Sequence, residues 1–277
     1  MADTVRVLTL NVLARDHADG PSRLQVIRRT LAELRPDVVA LQEVTRRGEF
    51  DDVGELLGGG YTVLEHPGSG TDGVGACLAS WWPVHRSEGL SFDDEDLTWA
   101  GAVAAEIESP GVGRLLVVHH KPSWRLDRED RRERQALAVA RFVEELLASR
   151  GEVPVVLLGD LDAGPESASV RFLTGRQSLD GMSVRYEDAW EAVRPQEPGH
   201  TFTPRNPLVR AGQMPLESGR RIDHIMVRSG PHGPLLEVAD CRLVLDRPVA
   251  GVWASDHLGV LAELRSPPHP PGIWSAV

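Results

Sequence analysis

The chain has 277 residues, 41% apolar and 26% charged, a balance that argues against fibrous, disordered and membrane-embedded classes and leaves room for a large core. Its 30 Lys and Arg against 41 Asp and Glu give a formal charge of −11, which disfavours polyanionic partners unless a local basic patch or a metal ion reverses the field. Cys77 and Cys241 are too far apart in sequence to suggest a disulfide framework or a cysteine zinc site.

The N-terminus runs into strand-like sequence without a signal-type segment, and no apolar stretch has bilayer length, so a cytoplasmic protein is expected. Residues 5–12, VRVLTLNV, read as a strand. Residues 21–35 read as a helix with Leu24, Ile27, Leu31 and Leu34 on one face, and VVALQEV at 38–44 as a buried strand. Pro21 and Pro36 stand at the two ends of that helix, where proline is tolerated.

From 61 to 121 come YTVLEH, VGACLAS, AVAAEIES and RLLVVHH, strands separated by Gly, Pro and Asp clusters and expected to pair antiparallel. Residues 127–149 form the strongest helix, with Asp127, Glu129 and Asp130 in its first turn and Leu137, Val139, Phe142, Val143, Leu146 and Leu147 buried.

VPVVLLGDLD at 153–162 is an apolar strand ending in two carboxylates, with a helix opening after it at Pro165 and Glu166. RIDHIMVR, LEVADCRLV and HLGVLAELR, at 221–228, 236–244 and 257–265, complete the strands. No linker divides the chain. One α/β domain over 1–266 is expected, built of two stacked sheets with helices outside, followed by a Pro-rich tail over 267–277.

Acidic, amide and histidine residues recur where predicted strands end, positions that a sheet fixes and a loop leaves accessible. Asn11 closes LTLN, Glu43 closes VVALQE, His120 closes LLVVHH, and Asp160 and Asp162 close VVLLGDLD. Asp223 lies in RIDHI, and Asp256 and His257 in ASDHLGV. Taken singly, each has a structural explanation as a turn residue, a solvated strand end or a helix cap.

As an ordered set, LTLN, LQEV, the His120 strand, GDLDAGP, RID and SDH resemble the endonuclease/exonuclease/phosphatase superfamily over residues 5–265. The resemblance implies a four-layer α-β-β-α sandwich of two mixed sheets and a metal-dependent hydrolase of phosphate esters, a phosphatase or phosphodiesterase. A nuclease acting on DNA or RNA is the rival, and a catalytically weakened phospho-ligand- or protein-binding member is the second alternative. A monomer acting on a phosphate-ester substrate is expected, with nucleic acid disfavoured by the net charge.

The resemblance also distributes roles. Glu43, supported by Asn11 and Asp256, holds Mg²⁺, with Mn²⁺ as an alternative ion. Asp160 orients or deprotonates the attacking water, and His257 stands beside the phosphate with Asp223 on its other ring nitrogen. His120 donates to a phosphate oxygen while His119 points to the opposite face; a one-residue change of register exchanges the two.

Two positions depart from the family pattern. Asp162 stands where the family usually has Asn, and its extra charge needs a second metal shared with Asp160, a nearby cation, or a raised pKa. Leu13 stands where some family nucleases have an acidic residue. Lys121, Trp124 and Arg125, directly after the His120 strand, are candidates for substrate binding, as are Arg205 and Asn206 in PGHTFTPRNPL. Arg220 and Arg221, just before RIDHI, are placed to draw in an anion.

Overall fold

The computed structural model describes residues 4–70 and 73–274. In chain order the elements are β1 (Thr4–Asn11), α1 (Gly20–Leu34), β2 (Val38–Arg47), β3 (Phe50–Asp51), α2 (Asp52–Leu57), β4 (Thr62–Glu65), β5 (Val74–Ser80), β6 (Val84–Ser91), β7 (Gly101–Ser109) and β8 (Gly113–Lys121). Then follow α3 (Glu129–Arg150), β9 (Val155–Asp160), α4 (Ala168–Leu173), β10 (Tyr186–Asp188), α5 (Ala189–Val193), α6 (Pro207–Ala211), β11 (Asp223–Gly230), β12 (Gly233–Pro234), β13 (Glu237–Val244) and β14 (Gly259–Arg265).

The strands build two sheets. One is ordered β13-β14-β1-β2-β5-β4 with β3 beside β2, the other β10-β11-β9-β8-β7-β6 with β12 beside β11. Each contains one parallel pair, β1 with β2 and β8 with β9, joined by a crossover helix, α1 or α3. The remaining pairs are antiparallel, so both sheets are mixed.

Side-chain alternation explains the layers. Val5, Val7, Val38 and Ala40 point inward and meet Val117, Val156, Leu158 and Ile225 of the other sheet. Their neighbours Leu8, Leu10, Val39 and Leu41 point outward onto Leu24 and Ile27 of α1. In the second sheet Leu116, Val118, Val155 and Leu157 point outward onto Val139 and Val143 of α3. Both faces of both sheets are therefore buried, in the expected α-β-β-α order, at roughly 1.5–3 kcal/mol for each fully buried large apolar side chain.

Some elements differ from expectation. β6, VHRSEGLS, is a strand of mostly exposed polar residues at a sheet edge, held by its ladder to β7 rather than by burial, and shows no apolar alternation to read. Helix α3 starts at Glu129, so Asp127 precedes it and pairs instead with Arg125; α4 starts at Ala168, after Pro165 and Glu166. Among the described residues no helix is long and apolar enough to cross a membrane.

The inward parity of each strand continues to its end. Asn11 follows Val5 and Val7, Lys121 follows Val117, and Asp160 follows Val156 and Leu158, all at the same end of the sandwich. Just before Asp160, β9 closes on β8 so tightly that a Cβ on Gly159 (φ +149°) would lie 2.1 Å from the carbonyl oxygen of His120. Gly159→Ala is expected to lower unfolding free energy by about 2 kcal/mol or more, read as a lower urea midpoint at unchanged m-value.

Candidate active site

A cleft of about 470 Å³ opens where those strand ends meet. Its floor holds Asn11, Glu43, Lys121, Asp160, Asp162, Asp256 and His257. Simple alternation would send Glu43 outward with Val39 and Leu41. It does not, because the β2–β5 register shifts between Gln42 and Val44 and Glu43 adopts φ +59°, a left-handed conformation that turns the carboxylate into the cleft. There Glu43 Oε1 accepts from Asn11 Nδ2 at 2.8 Å, and Oε2 accepts from Ala14 N at 3.3 Å.

Three donors converge on Asp160. Its Oδ2 accepts from Lys121 Nζ at 2.7 Å and from Asn11 Nδ2 at 3.1 Å, and its Oδ1 accepts from Asp162 N at 3.1 Å. Burial alone would favour the protonated acid, but the Lys121 and His257 charges outweigh it and hold the group well below the usual carboxylate range. Asp162, at φ +50°, turns its own carboxylate onto the same Lys121 ammonium. Burial, reinforced by the Asp160 charge, pushes Asp162 up to about 7 despite that contact.

His257 donates through Nδ1 to Asp223 Oδ2 at 2.9 Å, leaving Nε2 for the cleft. Burial disfavours its charged form, yet Asp223 and Asp160 overcome this and raise its pKa well above 6.5, favouring the imidazolium. Its loop is pinned from several sides. Ser255 Oγ donates to the Asn11 carbonyl at 2.7 Å, Asn206 Nδ2 donates to the carbonyls of Ser255 and Asp256, and Thr201 Oγ1 accepts from the backbone of Ile222 and Asp223.

Several expected site residues lie elsewhere. His120 shares the outward parity of Leu116 and Val118, so it faces away from the cleft; its Nδ1 lies 3.2 Å from the Gly101 carbonyl, and burial pulls its pKa down to about 4. His119 takes the inward face but lies beneath the site, 2.7 Å from Gln42 Nε2 and in edge-on contact with His66. The inward residue that reaches the cleft is Lys121. Arg125 is bound to Asp127 and Asp96 outside the lining, and Arg205 is exposed on another depression.

Asn206 is fully buried as the cap of α6 and the support of the Asp256 loop, which removes it from substrate contact. Arg221 is spent on Asp188 and Glu191, whereas Trp124 and Arg220 do line the cleft. Arg23 was not anticipated. It is buried and donates to the carbonyls of Val12, Leu13, Ala14, His17, Ala18 and Ala254, tying the loop after β1 to the loop before Asp256. Its sequence signal is a charge on the apolar stripe of α1, in step with Ile27 and Leu31.

Ligand atoms of Asp160, Asp223 and His257 lie within 4.8 Å of one another, beside the other carboxylates that line the cleft. Residues 8–257 match the Endonuclease/Exonuclease/phosphatase family, and the chain belongs to that family. A putative neutral sphingomyelinase of Drosophila melanogaster is 30% identical over 292 aligned residues, covering 94% of this chain and 60% of that protein. A Caenorhabditis elegans protein of the same name is 25% identical and 66% covered, so the chain spans about two thirds or less of either relative.

Among solved structures, D. rerio TDP2 complexed with single-strand DNA product superposes with a TM-score of 0.76 at 21% identity, over 96% of this chain and 100% of that one. The human Nocturnin catalytic domain with bound sulfate gives 0.73 at 18% identity, with 96% of both chains covered. At these identities the likeness concerns the fold.

The His257–Asp223 pair has a measurable linkage. A histidine whose folded pKa is raised adds stability that is fully present below its unfolded value near 6.5 and is lost as pH rises through the folded value. Asp223→Asn is expected to destabilise the metal-free protein by about 3 kcal/mol at pH 6 and by clearly less at pH 9.5, measured by urea unfolding. An equal loss at both pH values would show that the imidazolium is absent.

Proposed function

We propose that the chain is a Mg²⁺-dependent phosphodiesterase whose substrate carries an apolar group beside the scissile phosphate. The observation that carries this reading is the cleft: a charged floor between apolar walls, with Leu97, Trp99 and Trp124 among its lining and Phe202, Leu208 and Met214 among the residues of the other side. Among the described residues the cationic lining is Lys121, His257 and Arg220, with His17 as a further titratable group. A polynucleotide groove needs a longer basic track. The two relatives named as putative neutral sphingomyelinases fit this reading, since such a name implies a phosphodiester attached to a lipid.

The residues present fit a hard divalent ion. Asp256 is pushed above its ordinary value by burial and, against the pull of His257, by the neighbouring Glu43 carboxylate; two such carboxylates are the protein donors Mg²⁺ takes, and Asn11 Nδ2 orients the one of Glu43. Bound there, the ion supplies charge neutralisation at the phosphoryl oxygens and a water of lowered pKa. Glu43 and Asp256 would hold it, with Asn11 in support through its hydrogen bond to Glu43.

The protein groups have charge-fixed roles. Asp160, held ionised far below neutrality, is a weak base, so it orients the attacking water through its carboxylate rather than taking its proton. His257, whose charged form Asp223 favours, donates Nε2–H to the phosphoryl oxygen on which charge accumulates as water adds to phosphorus and the ester P–O bond breaks; the proton lost by the water ends on the departing ester oxygen, which leaves as the alcohol. Asp223 keeps the ring charged and oriented.

EDTA should abolish hydrolysis and Mg²⁺ restore it, with Glu43→Ala lowering kcat/KM by roughly 100-fold or more. Bis-nitrophenyl phosphate and a lipid phosphodiester in vesicles should be cleaved faster than nitrophenyl phosphate. Cleavage of plasmid DNA alone, with steep inhibition by salt, would assign a nuclease instead. Absence of both metal binding and hydrolysis would sink the enzyme altogether.

A further inference from the structure

The chain contains 30 Lys and Arg residues, and a single one of them, Lys121, is a lysine. Every other basic side chain of these two types is an arginine, on surfaces and in buried pairs alike. Arg23 and Arg221 show that this protein buries guanidinium groups readily. The one departure falls on the floor of the active-site cleft, where Lys121 is 3% exposed.

Geometry explains the exception. Two oxygens from different side chains, Asp160 Oδ2 at 2.7 Å and Asp162 Oδ2 in closer contact, converge on the Lys121 Nζ. A compact ammonium with three donors suits oxygens that converge on one point, whereas a planar guanidinium needs acceptors arranged side by side in its plane and more room. Two of the three N–H donors are taken by the carboxylates. The third remains for the cleft.

A pair of carboxylates two residues apart at a strand end is also how a divalent cation is bound, with oxygens converging on a single centre. In this chain the centre is occupied by nitrogen. We propose that Lys121 is a built-in cation standing where Asp160 and Asp162 would otherwise bind a second divalent ion, so that the enzyme works with one metal. The inference rests on the reading that Glu43 and Asp256, supported by Asn11, form the first metal position.

Asp162 then has a defined purpose as a positioning residue. It draws the ammonium off Asp160 alone and fixes it beside the water-orienting carboxylate, and its charge is matched by the lysine rather than by metal. The arrangement gives one fixed ammonium in the same cleft as the Glu43 cluster, linked to it through Asp160 and Asn11. Unlike a bound ion, that charge does not depend on metal concentration.

Metal stoichiometry tests this directly, with Mn²⁺ as the probe and calorimetry plus electron paramagnetic resonance as the readouts. The wild-type chain should bind one Mn²⁺, and Glu43→Ala should bind none with comparable affinity. Lys121→Met, which keeps the length of the side chain and removes its charge, should bind two, and its activity should change from a hyperbolic to a sigmoidal dependence on Mn²⁺. Lys121→Met combined with Asp162→Asn should return to one.

Two Mn²⁺ ions on the wild-type chain, or a folded Lys121→Met that still binds only one, would overturn the proposal while leaving the hydrolase reading intact. No Mn²⁺ on the wild-type chain would overturn the hydrolase reading itself. Should Lys121→Met fail to fold, the wild-type stoichiometry still decides, because a second ion there is incompatible with a lysine in its place.

Discussion

Everything at the active site depends on the parity of side chains along strands that face each other across one interior. Once Val5, Val7, Val117, Val156 and Leu158 are committed inward, Asn11, Lys121 and Asp160 are committed with them. A slip of one residue in β8 would replace Lys121 and His119 on that face by His120 and Val118, which now pack beneath α3. Burial of the apolar part of each strand therefore sets the geometry of its polar end, and the large free energy of the core holds the reacting groups in place.

Parity alone would leave Glu43 on the wrong face, and here local strain is used. A bulge and a left-handed residue turn it inward, and a second left-handed residue, Asp162, aims the other unusual carboxylate. Neither conformation is favourable for a side chain with a Cβ, so both need surroundings that fix them. Asn11 and the Ala14 amide hold Glu43, and Lys121 holds Asp162. Arg23 and Asn206 do the same for the loops, each satisfying carbonyls that irregular backbone would otherwise bury without partners.

This division explains what the sequence revealed. The strands with apolar runs and the two long crossover helices were legible because alternation and helical periodicity are direct records of burial. The edge strand β6 was not, since its residues are exposed on both faces and only its neighbour makes it a strand. At the site, Glu43, Asp160, Asp223, Asp256 and His257 could be picked out by motif, and the cleft brings them together or, for Asp223, directly behind His257. His120 was misplaced because the pair HH carries no signal of which residue faces inward. Val117 on the core side fixes that in the fold. Asn206 and Arg205 looked alike as polar loop residues; that one is a buried cap and the other exposed is a matter of tertiary contacts thirty or more residues away.

The charge states follow from the same enclosure. Burial opposes the charged forms of Asp160 and His257, and each is kept charged by a partner fixed beside it: Lys121 beside Asp160, Asp223 beside His257. Such pairing removes the freedom to exchange protons at neutral pH, and Asp160 and His257 are both poor bases for that reason. In the proposed reaction they would therefore act by orientation and electrostatic stabilisation, which need no change of protonation. Asp162 is the exception, since burial and Asp160 bring it near neutrality. A proton on it would alter how firmly Lys121 is held beside Asp160.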